Sequence, residues 1–418
     1  MPRPSLRLSR LSRLSRLSRL VACVLAWTLA LLPVPSMAAA PLSVLFVGNS
    51  YTFGRVPPVL NYNAARVHDL TAEFNARSPR GTNSYPPGTP GFGSFEPHPW
   101  GGVPGIVEQL SREAGLHYDI SLSTRNGASL RGHFLDLANK DWDLRGNVAS
   151  RRWDVVVLQE RSDGALPAGK GRHADPLAFV AYAKQFERFI HEGKAQRYTE
   201  TQLYGSLAAC ESTGQSAQRC AMEHSIPRNP HADPRTRIYL EQTWARPDMV
   251  EPHLQTHVDL HSPDGEPVVR RTPGHPEGLP AKTYYPSLRA MTADLHAAFH
   301  GLAASNPRFA GVVPVGDAFQ RAVDQGIAPS RGFYGPDGAW REPGGGTIDL
   351  WWHDRLHASK YGSYLAALVL FGSLSGIDPA GLGSGERAAA DLGIAPAEAV
   401  KLQRVASEQL RAAGQLKR

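Results

Sequence analysis

Val44-Leu45-Phe46-Val47-Gly48-Asn49-Ser50-Tyr51-Thr52 decides how this chain is read. Four apolar, β-favouring residues run straight into a Gly-Asn-Ser turn. A short apolar run closed by a turn signal reads as a buried strand of a parallel sheet. In open α/β sheets ligands sit beyond the carboxyl ends of the strands, and Ser50 lies there. Gly48 permits a tight turn and Asn49 tolerates unusual backbone angles, so Ser50 is presented outward. The plainer role for a serine at this point is a helix N-cap.

Working outward, strand patterns recur at Tyr118–Ser123, Trp153–Leu158, Arg237–Thr243 and Phe309–Val315. Helical patterns separate them: Pro57–His68, Val103–Ala114, a short one from Ser129, Asp175–Ile190, Tyr284–Ala304, one capped by Asp317, Ala358–Leu374 and Pro396–Ala413. Alternating strands and helices predict one α/β domain: a three-layer α/β/α sandwich on a mostly parallel, five-stranded sheet. The domain spans 40–418, with insertions at about 71–102, 194–235 and 246–282. Insertions at loops are thermodynamically cheap. The first is rich in Gly, Pro, Ser and Asn, with Phe92, Phe95 and Trp100 interspersed, and reads as a lid or a surface loop.

Residues 1–39 read as a secretory signal peptide. Arg3, Arg7, Arg10, Arg13, Arg16 and Arg19 form its basic region, Leu20–Leu32 its apolar stretch, and Ser36-Met37-Ala38-Ala39-Ala40 its cleavage site. The apolar stretch is short for a membrane span; an uncleaved anchor is the alternative. The formal charge of +7 includes six Arg and no acid from residues 1–40, so the mature chain carries +1. That balance gives no footprint for nucleic acid. The chain is expected to be exported, to a periplasm or beyond the cell, with no stable membrane anchor after cleavage. Of three Cys, Cys210 and Cys220 remain; in an exported protein they are expected to form a disulfide, with two free thiols as the alternative.

Three strands end in a polar or glycine residue: Ser50, Gly127 in Asn126-Gly127-Ala128-Ser129, and Gln159 in Leu158-Gln159-Glu160. Acyl transfer needs a nucleophile, a base, a group that orients the base, and donors for the oxyanion. Asp354-Arg355-Leu356-His357 supplies the base and its partner, because the spacing lets Asp354 reach Nδ1 of His357 while Nε2 faces outward. The Ser50 and Gly127 N–H groups and the Gln159 amide would be the donors. His353 could exchange roles with His357, and Asp354 could instead cap the following helix. Gln159 and Glu160 could be satisfied polar groups at a strand end, and Trp351 and Trp352 packing residues.

These blocks, in this order, resemble the SGNH, or GDSL-type, hydrolase superfamily from Leu42 to about Gly376. Gly48-Asn49-Ser50-Tyr51-Thr52 resembles its first block, with Asn49 where many members have Asp. Asn126-Gly127-Ala128-Ser129 resembles the second and Asp354-Arg355-Leu356-His357 the fifth. The third departs: the usual Gly-x-Asn is absent and Leu158-Gln159-Glu160 stands in its place, as in a divergent branch. The resemblance implies a flavodoxin-like fold with Ser50 as nucleophile, His357 as base, Asp354 as its partner and Gly127 as an oxyanion donor, with no cofactor.

The resulting expectation is an exported esterase that cleaves a small acyl ester or a carbohydrate O-acetyl group through an acyl-enzyme on Ser50. A non-catalytic periplasmic carbohydrate- or ligand-binding protein on the same fold is the alternative. A third reading places a metal at His253, His257 and His261, near Asp259 and Asp264. Pro252 and Pro263 bracket that short segment, which favours solvated loop histidines and no metal.

Overall fold

Strand β1 (Leu42–Gly48) is the centre from which the structure, a computed structural model, is built; it describes residues 40–77, 98–135, 143–251, 256–259, 268–271, 283–336 and 338–416. From Val44 onward β1 is buried on both faces, as a strand covered by helices on either side must be. Helix α1 (Ser50–Phe53) follows at once, then β2 (His68–Asp69), α2 (Leu70–Arg77), α3 (Gly102–Glu113) and β3 (Tyr118–Thr124). Next come α4 (Leu130–Leu135), α5 (Leu144–Val148), β4 (Val155–Gln159) and α6 (Pro176–His191). A small unit then holds β5 (Gln196–Thr199), α7 (Glu200–Tyr204), α8 (Leu207–Glu211), α9 (Ala217–Cys220) and β6 (Glu223–Ile226). The chain continues through β7 (Arg237–Glu241), β8 (Thr256–Asp259), β9 (Val268–Arg271), α10 (Leu288–Ser305), β10 (Phe309–Val313) and α11 (Val315–Asp324). It ends with α12 (Lys360–Ser375), α13 (Arg387–Asp391) and α14 (Pro396–Ala412).

The main sheet has six strands in the order β10-β7-β4-β1-β3-β2, and each of its pairings is parallel. Helices α3, α11, α12 and α14 pack together on one face. Helices α4, α5 and α6 lie with one another on the other, where Phe179 of α6 meets Phe299 of α10 at 4.7 Å. This is the three-layer α/β/α sandwich that the sequence predicts, with one strand more than expected.

The sixth strand is β2, where His68 pairs with Ser121 and Asp69 with Leu122. The segment before it is not the expected helix over 57–68 but a series of turns and a short 3₁₀ helix, Ala64–Arg66. Asn63 is the cause: it takes a left-handed conformation at φ 59°, which interrupts a right-handed helix, and its side chain donates to the Gly105 carbonyl. A second correction concerns Asp317. Helix α11 begins at Val315 with Pro314 at its cap, so Asp317 lies inside the first turn and caps nothing.

The two later insertions each contain an antiparallel hairpin, β5 with β6 and β8 with β9. Cys210 and Cys220 are disulfide-bonded within the first. No helix among the described residues is long and apolar enough to cross a membrane. The signal segment, most of the aromatic loop, His253 and His261 lie outside the described residues, as does the side chain of His257.

Candidate active site

Ser50 is placed by a four-residue helix that could not persist alone, since short helices carry a costly nucleus. Asn49 starts it, its side-chain oxygen accepting the Tyr51 N–H at 3.1 Å, and left-handed Gly54 ends it. The same Asn49 side chain donates to the Ala128 carbonyl at 2.9 Å, which ties the first strand end to the second. Gly48 must be glycine: a Cβ there would lie 2.0 Å from Thr52 Oγ1 and 2.7 Å from Gln159 Oε1.

Gln159 is where the structure departs from the expected arrangement. Its Oε1 accepts the Asn49 N–H at 3.0 Å and the Thr52 hydroxyl at 3.1 Å. Two donors converging on one atom fix which end of the amide is oxygen. The nitrogen then faces the Glu160 carbonyl and donates to it. The side chain is fully buried, so its amide serves the strand-end network and not an open oxyanion pocket. Glu160 is buried beside it, accepting the Arg161 and Leu130 N–H groups at 2.7 and 3.2 Å. Burial pushes its carboxyl up to about 7 despite those bonds.

The second strand end is a braced turn. Gly127 adopts φ 65°, a conformation that favours glycine. The Gly127 carbonyl accepts from Arg161 Nε at 2.8 Å, and Arg125 N donates to the Gly48 carbonyl at 3.2 Å. The Gly48 carbonyl also meets His133 Nε2 at 2.7 Å. Burial lowers the His133 pKa to about 4, so that ring is neutral and donates from Nε2.

From the other end of the chain, His357 brings Nε2 to 2.8 Å from Ser50 Oγ. Its Nδ1 lies 2.6 Å from Asp354 Oδ2, while Asp354 Oδ1 accepts the Leu356 and His357 N–H groups at 3.0 and 2.9 Å. The cap of α12 is Ser359, not Asp354, so the carboxylate is left to the histidine. Burial would raise the Asp354 pKa; its pairing with the His357 ring and the His357 and Leu356 N–H groups prevail and hold it well below the usual range. Burial, helped by the positive charges of Arg55 and Arg246, lowers the pKa of His357 against the pull of Asp354. His353 lies elsewhere, stacked on Trp340 at 3.9 Å.

Three features that sequence reading missed hold the two halves together. Tyr51 OH and Trp244 Nε1 both donate to the Leu356 carbonyl, at 2.9 and 3.2 Å. Their rings stack 3.8 Å apart. Arg246, paired with Asp248 and donating to Ser162 Oγ at 2.9 Å, adds a buried charge nearby. Tyr51 follows the nucleophile directly, and that adjacency was the available signal.

The site thus sits on a parallel three-layer α/β/α sandwich, with a serine after the central strand β1 and an Asp-x-x-His turn ahead of α12. No protein-family model matches the chain, and no curated protein matches it in sequence. Solved structures similar to it include a Slackia heliotrinireducens protein provisionally named an SGNH hydrolase. That protein is 16% identical, over 80% of this chain and 100% of its own, at a TM-score of 0.34. A DUF4886 family protein of Bacteroides uniformis is 12% identical, over 90% of this chain and 97% of its own, at 0.38. A gut microbial diltiazem-metabolizing enzyme is 11% identical, over 79% of this chain and 46% of its own, at 0.27.

Proposed function

We propose that the protein is an exported serine hydrolase that cleaves carboxylic esters through an acyl-enzyme on Ser50. The observation that carries this reading is the relay Ser50 Oγ–His357 Nε2–Asp354, with separations of 2.8 and 2.6 Å, assembled from residues 307 apart in sequence. Each member has the protonation its role requires. Asp354 stays ionised and fixes the Nδ1–H tautomer, and His357, its pKa lowered by burial, is neutral and able to accept a proton.

Ser50 Oγ attacks the ester carbonyl carbon while its proton passes to His357 Nε2. The carbonyl oxygen gains charge opposite the Ser50 and Gly127 N–H groups, neither of which is committed to an acceptor among the described residues. Such donors act most strongly where charge develops. Collapse expels the alcohol, which takes the proton from His357. Water then repeats the sequence and releases the carboxylic acid. Gln159 is assigned a supporting part, holding Asn49 and Thr52 and with them the pose of Ser50. Small acyl esters and carbohydrate O-acetyl groups are the proposed substrates. The buried disulfide in the inserted unit supports an oxidising destination.

A fluorophosphonate probe tests the reading. Wild-type protein should be labelled on Ser50, and Ser50→Ala should be unlabelled and inactive toward acetyl esters while keeping its melting temperature. Labelling that persists in Ser50→Ala, or near-normal ester turnover by that folded variant, would overturn it.

A further inference from the structure

Away from Ser50, helices α10 and α11 bring two histidines and a carboxylate together. His296 and His300 are one helical turn apart on α10, their rings stacked at 4.0 Å. Asp317 comes from the first turn of α11. Its Oδ2 lies 2.8 Å from His296 Nδ1 and 3.9 Å from His300 Nε2. We propose that His296, His300 and Asp317 form a binding site for a divalent transition-metal ion of the zinc class, joining α10 to α11.

The hydrogen bond from His296 to Asp317 accounts for His296 alone. His300 Nε2 is sealed from solvent and too far from Asp317 for a hydrogen bond. An ion between the three groups satisfies both rings at once. The three ligand atoms lie within 4.8 Å of one another. With 2.8 and 3.9 Å as two sides and the third at that limit, the point equidistant from all three is about 2.4 Å from each. Zinc bonds to imidazole and carboxylate are about 2.0–2.2 Å, within a small side-chain adjustment. Two neutral imidazoles and one carboxylate are ligands of the right hardness for zinc, cobalt or nickel, and unlike an all-oxygen set they disfavour magnesium and calcium. Three protein ligands leave a fourth position for water.

The support behind the carboxylate is already in place. Fully buried Gln242, the residue after β7, donates from Nε2 to Asp317 Oδ1 at 2.8 Å and turns Oδ2 toward the histidines. Orienting bonds of this kind are a regular part of metal centres. Gly316 allows the approach: a Cβ there would meet the Thr243 carbonyl at 2.1 Å. An ion at this point therefore braces α10 and α11 against Gln242, just past the end of β7 and two residues before Trp244.

The test uses the chelator-stripped full chain, titrated with zinc by calorimetry and with cobalt by visible absorption. One ion per chain should bind with micromolar affinity, give a cobalt d–d band and raise the melting temperature. His300→Ala and His296→Gln should each remove the band. Gln242→Ala should weaken binding by about 10–100-fold. His296 is half-exposed, so its replacement leaves the fold intact if His300→Ala does not. A variant with His253, His257 and His261 all replaced by Ala should bind as the wild type does. Absence of saturable binding, binding unchanged in both α10 variants, or binding lost only in the triple variant would each overturn the proposal.

Discussion

Replacing Gln159 with alanine separates a supporting amide from a catalytic one. In the folded protein Gln159 Oε1 is the acceptor for two buried donors, the Asn49 N–H and the Thr52 hydroxyl. Truncation leaves both without that acceptor. An unsatisfied buried polar group costs about 1–3 kcal/mol, and partial relaxation brings the sum to about 2–4 kcal/mol. A domain of this size shifts its melting temperature by roughly 1–2 °C per kcal/mol, less than a smaller one does. The expected fall is therefore about 2–8 °C, read by differential scanning fluorimetry, with turnover of a small acetyl ester reduced less than about tenfold well below the transition. A melting temperature equal to wild type with kcat lowered about 10²–10³-fold at unchanged KM would refute this. That outcome would mean the amide turns to the oxyanion in the reacting state.

Gln159→Glu sharpens the contrast. Ionised, it still accepts from Asn49 and Thr52 but has no proton for the Glu160 carbonyl, and in register it stands beside buried Glu241. Protonated, it can donate to that carbonyl again. Its stability deficit should thus be small at acidic pH and grow as pH rises.

His357 has its pKa lowered by burial, so kcat/KM should rise through a limb centred below the ordinary histidine value of about 6.5. A limb centred above that value would show that the pull of Asp354 outweighs burial at the base. His357→Ala should abolish turnover, whereas His353→Ala, which loses stacks on Trp340 and Trp352 away from Ser50, should retain it in the same assay. Burial alone pushes the Glu241 carboxyl up to about 8. The native state then holds a proton that the unfolded chain releases from about 4.5 upward, so this group removes stability as pH rises from about 4.5 to about 8. Glu241→Gln should consequently raise the melting temperature at pH 8.5 and change it little at pH 5; a variant equally affected at both would remove the linkage. Replacing Cys210 and Cys220 with serine should cost about 2–3 kcal/mol for so short a loop. Ester turnover should persist below the transition, and complete inactivation of a folded double variant would contradict it.

Fold class was legible because each β1-type run is short, apolar and closed by a turn residue, which leaves little room for another reading. Asp175-Pro176 opened α6 as its residues suggest, the Asp175 side chain accepting the Ala178 N–H at 3.0 Å. The sixth strand was not legible, because two residues carry no periodicity and His68–Asp69 becomes a strand only by lying against β3. Side-chain partners across the sheet were equally hidden. That Gln159 would serve Asn49 depends on the parallel neighbouring of β1 and β4, which no local pattern encodes. His296 and His300 did carry a signal, an i, i+4 pair on a helix, but their third partner lies on another helix.

The turn that carries His357 shows why its geometry is held rather than sampled. Arg355, inside Asp354-x-x-His357, has φ 57°, a left-handed conformation that a side chain with a Cβ adopts at a cost of about 1–2 kcal/mol. The same residue buries its guanidinium completely, donating to Asp349 and to the Arg341 carbonyl. Charge-assisted bonds are worth about 1.5–3 kcal/mol each, enough to offset the backbone conformation. A second constraint acts one residue on, where the Leu356 carbonyl accepts from both Tyr51 and Trp244. Tyr51 belongs to the nucleophile's own helix and Trp244 follows β7, so both depend on the main sheet. The base is thereby positioned from the nucleophile's side as well as its own, and the 2.8 Å separation of His357 Nε2 and Ser50 Oγ follows from that double anchoring.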